Sequence, residues 1–403
     1  MQTEKRFIRC FRAVAPFLGI FLLACGDTEP AAAGADLSPC AKLGCAANQK
    51  LCVEDSAGAH CEVCPPGTYA SAKSGVCEAL SGDPLTHTFA EFTVLPGEEI
   101  SGLCQSYTLG NATEIWVNAV ELSQDESSHH SNWTFVPSDR FDGPDGVWKC
   151  AERNYDQVTG ALAGGVIYAQ STQVSHEVQK FPDGAAVRIP PYSRIIGDVH
   201  LLNPTPEPIK GSLTLTLYGI PKAEVAHKLG PFHMVCTGLA IPPHAKSRFY
   251  GECAVANNYL GAAGKPFDQK LYYVLPHTHS MATRFFMQIL GGPRDGESLI
   301  DLGGYNGEAH GKLFETPIDM TGAEGYRFGC EYESSRDDVV HYGLGDQEMC
   351  ELLAFAEGNA AFESNVTVAE PRGMEGDMQL FSAGCSTIAF LYDFEKAGGP
   401  PPP

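Results

Sequence analysis

The chain has 403 residues, of which 43% are hydrophobic and 19% charged. That length exceeds one small core and suggests about two or three domains, and the balance excludes wholesale disorder. A formal net charge of -22 repels phosphate backbones and anionic lipid, so nucleic acid is excluded as a partner and the acidic surface serves solubility.

The chain opens on a targeting segment. Lys5, Arg6, Arg9 and Arg12 make a basic start, and the apolar run over 13–24 is too short to span a bilayer. It ends in Leu22-Leu23-Ala24-Cys25-Gly26, which resembles a bacterial lipoprotein signal. The resemblance implies removal of 1–24, lipidation of Cys25 and an envelope protein, periplasmic or on the outer membrane. Such a protein meets the membrane through its acyl chains only. Residues 25–39 are poor in large apolar side chains and read as a flexible tether.

Cys40, Cys45, Cys52, Cys61, Cys64 and Cys77 then crowd into 40–80. So short a stretch cannot build an adequate core, and an even cysteine count reads as a disulfide-stapled module whose pairing the spacing leaves open. The run Cys61-x-x-Cys64-Pro65-Pro66-Gly67 resembles small cysteine-rich repeats of extracellular receptors. A zinc knuckle is the rival, disfavoured by the oxidising envelope.

From residue 83 onward the pattern is β. The stretches 114–120, 212–218 and 270–274 read as strands, with 212–218 alternating cleanly. Gly and Pro punctuate the gaps, and no stretch sustains a helical period. The expected class is all-β: two tandem antiparallel β-sandwich, or jelly-roll, domains over 83–222 and 223–395. The Gly- and Pro-rich 396–403 reads as a disordered tail.

Histidine carries the chemistry. In Pro276-His277-Thr278-His279, residues two apart share one face of a strand, so two imidazoles point together. Adjacent His129 and His130 can reach one metal only where the backbone is irregular, as at a bulge. His200 sits among apolar neighbours, which on its own suggests a core histidine. Met349, in Glu348-Met349-Cys350, offers a soft thioether that as a ligand selects copper(I).

The ordered set His129-His130, Val199-His200, His277-Thr278-His279 and Glu348-Met349-Cys350 resembles the ascorbate-dependent copper type II monooxygenases, which include peptidylglycine α-hydroxylating monooxygenase and dopamine β-monooxygenase. The likeness covers about residues 85–392. It implies an electron-transfer copper on His129, His130 and His200, and a separate oxygen-binding copper on His277, His279 and Met349, the latter three catalytic. It implies hydroxylation of a small-molecule C–H bond by dioxygen, with ascorbate or another donor supplying electrons. It also implies the bridges Cys104–Cys150, Cys330–Cys350 and Cys253–Cys385, leaving Cys236 over.

The chain departs from the peptide-amidating members. Leu275 stands where they hold the substrate carboxylate with Arg, and Glu351 and Leu353 replace their Asn and Tyr. A C-terminal-glycine peptide is therefore not the expected substrate. Glu351 reads as a solvated surface charge, or else as a contact for a cationic amine. The alternative to an enzyme is a non-catalytic copper-binding envelope lipoprotein.

Overall fold

The computed structural model describes residues 45, 50–71, 73–125, 127–170, 174–304, 311–396 and 399. The expected signal, Cys25, the tether and Cys40 lie outside them. Among the described residues, no helix is long and apolar enough to cross a membrane.

The strands that position the site are β1 (Glu99–Thr108), β2 (Ile115–Gln124), β3 (Ser128–Pro137), β4 (Ala185–Ile189), β5 (Ser193–Leu202), β6 (His227–Val235), β7 (Lys270–Thr278) and β8 (Cys350–Glu357). The protein is built from two tandem jelly-roll sandwiches behind a small disulfide-rich module. One sheet of the first sandwich runs Gly146–Lys149, β1, β5, β3, Gly165–Ala169. The second sandwich is closed by a sheet of six strands, from Ser298–Gly303 to Glu370–Glu375.

Between them runs a long sheet in the order Lys312–Asp319, β7, β8, β6, β4, β2, Leu213–Ile220, Asp83–Thr88. It passes from one half to the other where β4 and β6 pair in parallel, Ala185 opposite His227 and Ala186 opposite Lys228. Residue 222 thus separates two sandwiches, but Leu229, Tyr273, Leu275, Leu353 and Phe355 of the second pack into the core of the first, and 39–403 is one compact unit.

The shared core explains the unbroken apolar runs in β7 and β8. Leu352, Ala354 and Ala356 pack toward the six-stranded sheet with Phe232, Met234 and Val274. Leu353 and Phe355 face the other way, with Leu229, Tyr273 and Leu275, onto Trp133, Phe135 and Val187 of the first sandwich. Both faces are buried, so alternation gives way to a continuous hydrophobic sequence. The same period of two sends His233, His277, Met349 and Glu351 toward the first sandwich, since each shares parity with a residue of that second set.

Two short helices appear where no helical period was legible. Gln157–Ala163 starts at Asp156, whose carboxylate accepts from the Thr159 N–H in a capping box. Ala256–Ala263 ends on Gly264 in the left-handed region. Two turns of helix are too brief to show a repeat.

Bridges form between Cys104 and Cys150, Cys253 and Cys385, and Cys330 and Cys350. Cys236 is free and buried. In the N-terminal module Cys45 pairs with Cys61 and Cys64 with Cys77. The module docks on the first sandwich: the Gly67 N–H donates to Glu121 at 2.9 Å, and Leu80 packs with Ala119, Val178 and Tyr218. Lys396, expected in a disordered tail, is held instead. Its carbonyl accepts from Arg188 at 2.7 Å and its ammonium donates to the Ala163 carbonyl.

Glu114, just before β2, accepts from Lys222 at 2.6 Å and from Arg188 at 2.8 Å. Lys222, then Arg188, hold its carboxyl down at about 2 from an ordinary 4.5. A carboxylate held below its unfolded value contributes stability that is full above about pH 4.5 and is lost as pH falls toward 2. Glu114→Gln should therefore lower the urea midpoint more at pH 6 than at pH 3. An equal gap at both would contradict this role.

Candidate metal centre

His200 of β5 lies directly opposite His130 of β3, and the next pair is Leu201 with Ser128. His129 is therefore the extra residue of a bulge. Adjacent histidines on a regular strand would diverge, and the bulge lets both rings meet His200. On the other side of β5, Val199 pairs with Leu103 and Leu201 with Ile100, so Ser101 and Gly102 together face His200. Gly102 has φ 66°, a conformation that favours glycine. Bulges thus flank His200 on both neighbouring strands.

The ring centroids of His129, His130 and His200 are 4.9–5.1 Å apart, and one nitrogen from each lies within 4.8 Å of the others. His200 Nε2 is 2.7 Å from Glu99 Oε1. An ionised carboxylate only accepts, so Nε2 carries the proton and Nδ1 keeps its lone pair. That Nδ1 is 3.2 Å from His130 Nε2. Two nitrogens bound at ~2.0 Å to a tetrahedral metal stand about 3.3 Å apart, so the spacing fits a shared ion.

The His-Thr-His segment ends β7. The β7–β8 register runs His277 to Glu351 and Thr278 to Cys350, and its next step would set His279 against Met349. The His277 and His279 rings are 5.2 Å apart and nearly perpendicular. His279 Nδ1 lies 2.8 Å from the Gln347 carbonyl, which can only accept, so Nδ1 is protonated. Its Nε2 is then a lone pair, buried and without a hydrogen-bond partner among the described residues. A buried acceptor left unmatched is costly, and a metal ion would satisfy it. Burial, then the neighbouring His277, push His279 down to about 4. Burial followed by the surrounding rings, His277 first, lowers His130 as well. Both are neutral at pH 7, the form that binds a metal.

Met349 is 8% exposed and its backbone is pinned. Tyr332 donates to its carbonyl at 2.7 Å, the buried Glu348 carboxylate accepts from its N–H at 3.3 Å, and Cys350 is bridged to Cys330. Glu348 also accepts from the N–H groups of His279 at 3.0 Å and Met281 at 2.7 Å, tying the His-Thr-His segment to the Glu348-Met349 segment.

Met349, His277 and His130 line one cavity of about 290 Å³, walled by Leu275 and Leu353. The two ligand sets, expected as separate, adjoin: the His130 and His277 rings are 5.5 Å apart. The cause is the shared core, which draws the first sandwich onto β7 and β8. Glu351 is no solvated surface charge. It lines the cavity, accepts from Tyr342 at 2.7 Å and lies 3.8 Å from His233, whose other nitrogen is 3.6 Å from Glu363. Burial opposes charge on His233, yet Glu363 and Glu351 outweigh it and hold its pKa above the ordinary value.

Glu99, His233, Tyr342 and Glu363 were not singled out from sequence. For His233 a signal existed, its parity with Leu229 on β6. Should His129, His130 and His200 hold a copper ion, Glu99→Gln would weaken its binding by about 10–100-fold, as loss of an orienting carboxylate does. Competition against a copper chelator measures it, and unchanged affinity would leave Glu99 without that role.

No family model matches the sequence, and no curated protein does. Among solved structures, the major capsid protein P2 of bacteriophage PM2 is similar at 8% identity and TM-score 0.30, over 68% of this chain and 98% of that one. The cowpea mosaic virus top component is similar at 10% identity and TM-score 0.32, over 73% and 94%. These likenesses concern the β architecture alone and bear on no function.

Proposed function

We propose that this chain is a copper-dependent monooxygenase, hydroxylating a small-molecule C–H bond with dioxygen and an external donor such as ascorbate. The observation that carries the reading is convergence. His130, His277 and Met349 line one cavity, the rings of His129 and His200 adjoin His130 and that of His279 adjoins His277, and His279 presents a buried nitrogen with no hydrogen-bond partner among the described residues. The donors fit copper: imidazole suits it, and the thioether of Met349 favours its reduced form.

His129, His130 and His200 would hold one ion, with Glu99 fixing the tautomer of His200. His277, His279 and Met349 would hold the second, with Gln347 and Glu348 fixing the His279 ring and the Met349 backbone. Bound copper supplies the reductive activation of dioxygen. Three protein donors would leave a coordination position free for a small ligand. The apolar wall, Leu275 and Leu353, excludes water and accepts a hydrocarbon portion of the substrate. Glu351 and Tyr342 supply polar groups that orient it. Leu275 also removes the cation that would hold a peptide carboxylate.

With copper and ascorbate, the protein should consume oxygen only when a suitable substrate is added. Tight copper binding without turnover across a broad panel would favour a non-catalytic copper-binding lipoprotein. The reading includes attachment to the bacterial envelope through acyl chains on Cys25. The mass of the mature N-terminal peptide should show lipid on that cysteine, and an unmodified Cys25 would remove the anchor.

A further inference from the structure

We infer that His233 passes protons from solvent into the cavity, so that the oxygen atom not transferred to substrate leaves as water. This rests on the monooxygenase reading above and gives a role to a histidine outside both ligand sets.

The sheet builds the relay. β6 runs between β8 and the strand Ala360–Asn365, with His233 opposite Leu353 on one side and Glu363 on the other. Cross-strand partners share a face, and Glu351 shares it too, two residues from Leu353. His233, Glu351 and Glu363 accordingly line the cavity with His277 and Met349. His233 Nδ1 is 3.6 Å from Glu363, whose side chain is 33% exposed, and Nε2 is 3.8 Å from Glu351, at 19%. One nitrogen thus faces the wetter carboxylate and the other the drier. Tyr342 donates to Glu351 at 2.7 Å and holds its carboxylate in place. Among the described residues, the other titratable groups on the cavity are Tyr342, His130 and His277. Carboxylates beside both nitrogens favour a ring protonated at each, which holds protons and not a metal.

Hydroxylation consumes protons. One atom of dioxygen enters the C–H bond and the other becomes water, which takes two electrons from the external donor and two protons. The apolar walls Leu275, Leu353 and Trp133 supply none. His233 gives up its Nε2 proton on the cavity side and is left neutral. It then turns the bare nitrogen toward Glu363, regains a proton from solvent there and turns back, once for each proton. Burial opposes charge on the ring, but Glu363 and Glu351 outweigh it, so the proton is kept into a higher pH range than an ordinary histidine keeps it.

Proton NMR of the copper-free full chain tests the ring itself. One imidazole resonance, absent from His233→Gln, should titrate above the ordinary 6.5, and Glu363→Gln should lower its midpoint. A midpoint at or below 6.5 would overturn the relay whatever turnover shows. In the copper-loaded chain, with ascorbate and the panel substrate that gives the fastest oxygen uptake, kcat should fall as pH rises through that midpoint. His233→Gln should bind as much copper, lose about 100-fold in kcat at low pH and lose that limb of the profile. A variant that turns over normally, or is slowed equally at every pH, would overturn the relay and leave the monooxygenase standing. If circular dichroism shows that His233→Gln does not fold, Glu363→Gln decides: its limb should move to lower pH, and an unmoved limb would overturn the relay. A native chain that binds copper but takes up oxygen with no substrate of the panel would overturn both.

Discussion

Met349→Ile is expected to abolish substrate-dependent oxygen uptake while leaving copper on His129, His130 and His200. Isoleucine keeps the volume of a buried side chain and so preserves packing, but it has no sulfur. Only the soft donor is withdrawn, and with it the preference of the second set for reduced copper. Copper(I) affinity at that set should fall at least about tenfold, equivalent to about 1.4 kcal/mol. Oxygen-electrode traces and copper(I) competition on the same preparation read both effects. Normal turnover in the variant would remove Met349 from the centre.

Phe355→Ala should have the largest effect on stability. Its ring is fully buried in the shared core, 5.0 Å from Phe181 and 6.4 Å from Tyr273 by centroid. Truncating a buried phenylalanine costs about 3–5 kcal/mol through lost transfer energy and the cavity left behind. Because this core presses the first sandwich onto β7 and β8, the loss should also separate His130 from His277. The variant should unfold at lower denaturant than the native chain. A midpoint like that of the native chain would mean that the two halves do not depend on this core.

Much of the fold was legible in the residues. Clean alternation over 212–218 marked a strand that does pair with its neighbours. The bulge at His129 follows from a requirement visible in sequence: two adjacent histidines serve one site only where a strand is irregular. The contact between the halves was hidden, because a continuous run such as Leu271 to Leu275 announces burial on both faces without saying against what. The separation of the two ligand sets was implied by the family resemblance, and nothing in the sequence spoke against it. Glu351 misled in a related way. A lone carboxylate in a sequence reads as solvated, and its partners Tyr342 and His233 come from elsewhere in the fold. Glu99 was missed because nothing local to it marks a partner 101 residues away.

The central claim is that five imidazoles and one thioether hold two copper ions per chain. Elemental analysis of the purified, copper-loaded protein tests it most directly, beside a variant carrying His129→Ala, His130→Ala and His200→Ala. The native chain should hold two coppers, and the variant at most one. A native chain that retains no copper, or a variant that retains as much as the native chain, would contradict the account.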